Sequence, residues 1–344
     1  MTDNEIIPEW IEGIGPDADV VISTRARLAR NLAAFPFPER ASREDLTMVV
    51  REVRAACASL AVRFPKLKSV SVDKLEPEER SYLLDAHIAS ADHLRRGEDR
   101  VVILDPSAVL SILVNEEDHI RLQAVMSGLV PEEAWALVDW ADDVLAEKLD
   151  YGFSKRYGYL TADVSNVGTG LRVSVMMHLA GLGMKGTLKR QLRAAYDLGV
   201  SVRGLFGEGS QFVGDLFQVS NEVTLGFSEI ELVRKVRSVA QYLLCEERSA
   251  RKELVSEQRK RLIDTASEAL RVLQSAMSLK AGEALKLLSS LRLAASEGLT
   301  ADCPMILLNK LLVGMRAGDD NGRANIERAA FIRHNLARAH VITY

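Results

Sequence analysis

The chain has 344 residues, 47% apolar and 27% charged, and carries a net charge of −4. That length is long for one hydrophobic core and predicts two domains of an ordinary globular protein. The mildly negative charge argues against a nucleic-acid binder, so a polyanion site must come from a local cluster of Arg or Lys. The opening segment Met1–Trp10 is acidic and lacks a signal-peptide pattern, and no apolar run approaches the roughly 20 residues of a bilayer span. Cys57, Cys245 and Cys303 are too scattered for a disulfide framework or a zinc motif. A cytoplasmic protein with neither membrane nor nucleic-acid partners is expected.

Val20–Ile22 opens a strand that continues into Ser23–Arg27, where period-two alternation places Arg25 and Arg27 on one face. Two guanidinium forks side by side suit phosphate, although a solvated strand edge with scattered ion pairs has the same spacing. Ser42 caps a helix that carries Leu46, Val49, Val50, Val53, Cys57 and Leu60 at helical spacing. Val101–Leu104 and Val109–Val114 read as the two strands of a hairpin turning at Asp105–Ser107. Read as extended, Asn115–Gln123 sets Glu117, His119 and Arg121 on one face and Ile120 and Leu122 on the other. That pattern fits a surface ion pair, a grip on a cation beside a phosphate clamp, or an acidic metal site. Pro131 suits the first turn of a helix reaching towards Leu149.

Gly158–Arg172 is a glycine-bearing loop feeding the strand Val173–Leu179, with Arg172, Ser174, Met176 and His178 on one face. His178 is expected to be structural. Val202–Ser210 leaves a strand for a Gly-rich loop with Arg203 and Glu208, a spacing that an ordinary turn also shows. Between these two segments, Gly181–Gly186 matches G-x-G-x-x-G, with Glu208 about 20 residues on, as a dinucleotide fingerprint asks. The preceding strand alternates apolar and polar residues, unlike a strand buried on both faces, and no βαβ series surrounds it. A nicotinamide-dependent oxidoreductase is therefore disfavoured. The chain has no GxxxxGK[ST] loop and no H-R-D or D-F-G signature.

From Ser228 the pattern is helical throughout. Ile230, Val233, Val236, Ala240 and Leu243 form one stripe, which Leu262, Ala266, Leu270, Leu273 and Met277 continue. Gly298 and Gly318 serve as helix stops, and the charged stretch Glu246–Glu253 marks the boundary near residue 250. The fold expected is α+β over 1–250, followed by a helical bundle over 251–344.

Four phrases, STRARLARN, NEEDHIRLQ, NVGTGLR and RG-x-x-GEGS followed by VSN and LG, occur in that order between about residues 10 and 235. Together they resemble the ATP:guanido phosphotransferase family, whose fold is a bent antiparallel sheet flanked by helices. The resemblance implies an enzyme using ATP with Mg²⁺ and no metal site built from protein ligands. It assigns the ATP side to Ser23, Thr24, Arg25, Ala26 and Arg27, to His87 and Arg121, and to Arg172, Val173, Ser174, Val175 and Met176. Arg203, Gly204, Leu205, Phe206, Gly207 and Glu208 complete that side. Glu117 and Glu208 match the two carboxylates that hold the acceptor guanidinium. A guanidinium is a poor nucleophile until a carboxylate orients it and removes a proton, while fixed arginines stabilise charge on the transferred phosphoryl group.

Only 22 residues precede Ser23, whereas small-molecule guanidino kinases place a helical domain there. The helical C-terminal part is similar to the dimerisation domain of the protein arginine kinase branch. The branch implies arginine-bearing protein substrates, a homodimer, a role in protein quality control or the stress response, and a zinc-binding activator and a Clp-type protease as partners. Two departures stand out. Asp163-Val164 replaces the family's Cys-Pro, which puts a carboxylate where the family has a thiolate and makes Asp163 a third candidate catalytic group. Ala324–Ala329 keeps only Arg328 and Ala329 of the branch's R-D-x-x-R-A phosphoarginine motif. The alternative is a catalytically degenerate relative that binds ATP or arginine-bearing proteins as an adaptor.

Overall fold

A computed structural model describes residues 6–95, 99–204, 213–315 and 321–342. The chain begins with β1 (Val21–Arg30) and α1 (Arg43–Cys57), then β2 (Lys68–Ser71) and the short helices α2 (Pro77–Asp85) and α3 (Ala91–Arg95). The hairpin of β3 (Val101–Leu104) and β4 (Leu110–Val114) leads into β5 (Ile120–Ser127) and α4 (Pro131–Ala146). A small ribbon of β6 (Phe153–Ser154) and β7 (Gly158–Tyr159) precedes β8 (Leu171–His178), α5 (Ala180–Met184), α6 (Leu188–Asp197), β9 (Val200–Gly204) and β10 (Leu216–Asn221). The remainder is helical: α7 (Glu229–Ser275), α8 (Ala281–Ser296), α9 (Met305–Gly314) and α10 (Gly322–Asn335). One further ribbon joins β11 (Thr300–Ala301) to β12 (His340–Val341).

Eight strands form one sheet in the order β2-β3-β4-β5-β1-β8-β10-β9, and every neighbouring pair is antiparallel. Alternation along the central strands divides the sheet chemically. Ala26, Leu28, Leu122, Ala124, Val173 and Val175 point to one face and join a buried cluster with α1, α4 and the first half of α7. Leu113, Val125 and Leu216 point to the other and pack with Trp10, α2 and the C-terminal helices. Arg25, Arg27, Arg121 and Arg172 share this second face by register, since Arg25 pairs with Val125, Arg27 with Arg172, and Arg121 with Leu113.

Several expectations match in detail. Ser42 caps α1 through a capping box with Asp45, and β3 and β4 form the expected hairpin. α4 starts at Pro131 and stops at Ala146, a turn short of the expected end. The stripe on α7 is buried at Val233, Val236, Ala240, Leu243, Leu262, Ala266, Leu270 and Leu273, while Met277 lies past the helix end and is exposed. α7 runs on through residue 250, and its one departure from helical geometry is at Gln258, with φ −133° and ψ 27°. Gly298, with φ 67°, follows the end of α8, and Gly318 lies outside the described residues.

The G-x-G-x-x-G match is not a phosphate loop. Gly181–Met184 lies within α5, and the amides of Gly181 and Leu182 at its start donate to the Glu247 carboxylate at 2.8 and 2.9 Å. A Cβ on Gly181 would come within 3.0 Å of both Glu247 Oε1 and Arg251 Cγ. This glycine therefore permits close packing against α7. Glu247 is fully buried and paired at 2.6 Å with Arg251, whose guanidinium also donates to the carbonyls of His178 and Asp19. His178 accepts from Arg251 at Nδ1 and donates from Nε2 to Ser289, which donates to Asp215. His178 is thus a buried structural histidine; burial and the neighbouring Arg251 and Arg292 push its pKa far down. No helix among the described residues is long and apolar enough to cross a membrane.

Candidate active site

Two cavities open side by side on the polar face of the sheet. The first, about 270 Å³, is lined by Ser23, Arg25, Arg27, His87, Arg121, Ser174 and Met176, with Ser90, Gln123 and Gln218 beside them. The second, about 220 Å³, is lined by Arg27, Arg121 and Arg172 at one side and by Glu116, Glu117, Asp118, Asp163 and Asn166 at the other. Arg27 and Arg121 line both cavities and mark where they meet.

The cationic side follows from strand register, which brings β1, β5 and β8 arginines together although they lie far apart in sequence. Burial and the repulsion of Arg121 and Arg172 lower the Arg25 guanidinium to about 9, and burial and Arg172 lower Arg121 to about 10. Clustered guanidiniums held this way are poised for a polyanion, whose negative charge offsets their mutual repulsion. Arg121 pairs with Glu116, which also accepts from the Ser90 hydroxyl. Arg25 donates to Gln218 Oε1 at 3.4 Å. His87 takes a left-handed conformation, φ 61°, and lies against Trp10 with ring centroids 5.6 Å apart. Burial and Arg25 push its pKa to about 4, so it offers a neutral imidazole to this cavity.

The acidic side forms at a turn, and here the extended reading of Asn115–His119 is corrected. Asn115 adopts φ 62° and its amide donates to the His119 carbonyl at 2.9 Å, so β5 begins only at Ile120. Glu117 sits exposed at the turn, while His119 faces inward, away from Arg121. The His119 Nδ1 accepts from the Leu32 amide and its Nε2 donates to the Pro36 carbonyl. Asp118 is buried and accepts from Asn31 at 2.6 Å and from the Ala162 amide at 2.7 Å, which ties the 160–170 loop to this turn. Asp163 thereby reaches the second cavity; its two oxygens accept from the Ser165 amide and hydroxyl, both at 2.8 Å. Partial loss of water, followed by repulsion from Asp118, Asp163 and Glu116, raises the Glu117 carboxyl to about 7.

Not every assigned side chain reaches the cavities. Thr24, Ala26, Val173 and Val175 are buried on the opposite face, because alternate strand positions point away from the arginines. Thr24 instead donates to the Gly128 carbonyl at 2.6 Å. Arg203 lies at the sheet edge on β9, opposite Gln218, and donates to Ser201; Gly204 ends that strand. Leu205, Phe206, Gly207 and Glu208 lie outside the described residues. Arg328 is buried and donates to the carbonyls of Met315 and Leu279 and to Asn325, joining α10 to its neighbours. Sequence reasoning missed Glu116, Ser90, Gln123 and Gln218. Glu116 was visible only as one of three adjacent acids, and Gln218 reaches Arg25 through a pairing that no spacing reveals.

Among the described residues, no group of three or more His, Cys, Asp or Glu side chains stands where it could hold a metal ion.

Comparison with known proteins agrees with this geometry. Residues 48–250 match the model of the ATP:guanido phosphotransferase C-terminal catalytic domain. A protein-arginine kinase of Pelotomaculum thermopropionicum is 41% identical over 317 residues, covering 92% of this chain and 89% of that protein. One of Moorella thermoacetica is 41% identical over 340 residues, covering 96% and 97%. Among solved structures, a lombricine kinase superposes with a TM-score of 0.61 at 25% identity over 72% of this chain and 73% of that one. The duplicated taurocyamine kinase of Schistosoma mansoni gives 0.61 at 21% identity over 69% and 34%, a likeness of fold. With a clustered set of sheet arginines facing an acidic turn, and a catalytic-domain match over most of the sheet, the chain belongs to the ATP:guanido phosphotransferase family and is a phosphotransferase.

Proposed function

We propose that this enzyme transfers the γ-phosphoryl group of ATP to the guanidinium of arginine side chains on proteins. The observation that carries the reading is the sharing of Arg27 and Arg121 by a cationic and an acidic cavity. ATP occupies the first cavity, with its terminal phosphate at the shared arginines. The arginine head enters the second, against Glu117 and Asp163. The similarity to protein-arginine kinases along nearly the whole chain supports a protein-borne acceptor.

In the transfer step a terminal guanidinium nitrogen attacks the γ-phosphorus and the N–P bond forms. The bond from that phosphorus to the β,γ-bridging oxygen breaks, and ADP leaves with the electron pair. The proton lost by the nitrogen passes to Glu117, whose pKa of about 7 suits a base at neutral pH. Arg27, Arg121 and Arg172 offset charge on the equatorial oxygens without reorganising during the reaction. A Mg²⁺ travelling with the nucleotide would supply further neutralisation of the phosphate charge.

Mass spectrometry of an arginine-rich protein incubated with the enzyme and Mg-ATP tests the reading. A mass gain of one phosphoryl group on arginine is expected, with free arginine a poor substrate. Efficient turnover of free arginine without any labelled protein would sink the assignment.

A further inference from the structure

We propose that Val164 and Leu225 form an apolar ledge at the mouth of the acidic cavity and select arginines flanked by apolar residues. This inference rests on the protein-arginine reading and adds a sequence preference to it. The acidic cavity, about 220 Å³, suits a guanidinium and its stem, so the residues on either side of that arginine must lie on the rim.

The rim has a fixed apolar part. Val164 directly follows Asp163, which lines the cavity, and is 82% exposed; Leu225 is 51% exposed. Both are held in place by the loop around them. The Thr224 hydroxyl lies 2.7 Å from the Val167 carbonyl and 3.0 Å from that of Ser165 and donates to them. Gly168 has φ 118°, and a Cβ there would stand 2.8 Å from Leu225 Cα, so the two segments pack backbone to backbone. Val223 and Phe227, 49% and 42% exposed, extend the same segment. A single exposed valine or leucine is unremarkable on a protein surface. Here two of them stand on a hydrogen-bonded ledge beside a pocket in which Glu117 and Asp163 offer negative charge to a cation. An apolar side chain next to the bound arginine would lose water against that ledge, whereas an acidic neighbour would be repelled by Glu117 and Asp163.

The test compares two peptides of equal length, one with glycines and one with leucine or valine on both sides of a single arginine, at saturating Mg-ATP. The wild-type enzyme is expected to show a kcat/KM about tenfold higher for the apolar-flanked peptide, a difference of about 1.4 kcal/mol. The double variant Val164→Ser, Leu225→Ser should bring that ratio close to one, leaving the glycine peptide's kcat/KM and the KM for ATP unchanged. Val164→Ile with native Leu225 should keep the preference. Equal use of the two peptides by the wild type, or an equal fall for both in the double variant, overturns the ledge. If light scattering shows that the double variant breaks a dimer, the ledge belongs to a second copy of the chain and the proposal is likewise wrong. Failure of the wild type to label either peptide would instead remove the protein-arginine reading on which the ledge depends.

Discussion

Replacing Asp163 by asparagine tests the acidic cavity most sharply, because the carboxylate has two separable effects. It offers the guanidinium a negative partner, and its charge helps to hold the Glu117 carboxyl at about 7. In the wild type a base of that pKa is about one-tenth ionised at pH 6 and about nine-tenths at pH 8, so the transfer rate should fall with acid through neutrality. Asp163 is the third cause of the Glu117 shift, after loss of water and Asp118. Its removal should therefore move the acid limb down by only about half a pH unit. The plateau should fall about ten- to a hundredfold, through the loss of one charge-assisted contact. Single-turnover rates at saturating Mg-ATP, from about pH 5.5 to 8.5 at fixed ionic strength, read both effects. His87, with its pKa near 4, stays neutral across that range and adds no titration of its own. A wild-type rate independent of pH between 6 and 8 would remove Glu117 as the base. An unshifted limb and an undiminished plateau in Asp163→Asn would leave the Asp163 charge without a role. Asp163→Cys should retain activity and become sensitive to thiol alkylation.

Three further outcomes check other parts of the structure. Arg121→Lys keeps the charge but loses the planar fork shared by both cavities and paired with Glu116; the transfer rate at saturating ATP should fall at least about tenfold, and near-normal kinetics would leave Arg121 without a part in the transfer step. Arg251→Ala leaves the fully buried Glu247 without its ion-pair partner and should cost about 3–5 kcal/mol, visible as a large drop in Tm; an unchanged melting curve would refute the packing assigned to that pair. Light scattering at micromolar concentration should give a homodimer, lost when residues 251–344 are deleted from a chain whose remaining part still melts cooperatively. A monomeric full-length chain, or a dimer surviving the deletion, would misplace that interface.

Much of the chemistry was legible in the residues alone. Alternation in Ser23–Arg27 correctly put Arg25 and Arg27 on one face, and Ser42 and Pro131 correctly marked helix starts, because caps and strand period are local properties. The alternating strand before Gly181 was enough to disfavour a dinucleotide loop. Other features depend on contacts between segments distant in the chain, which no local pattern encodes. Asn115 adopts a left-handed conformation at a turn and withdraws Glu117 and His119 from the strand, so an extended reading of that phrase failed at its centre. The partnership of Arg25 with Gln218 spans 193 residues and arises only when β1, β8 and β10 lie side by side. Likewise Gly181 looks like a phosphate-loop glycine until Glu247, 66 residues on, is seen to occupy the helix start. The sequence by itself determined which charges the protein carries and, along β1 and β8, which strand face the arginines occupy. Only the tertiary structure decided that Arg27 and Arg121 stand between an arginine-lined cavity and one where arginines meet carboxylates, because that juxtaposition is made by sheet order and by a buried Asp118 that fastens one loop to another.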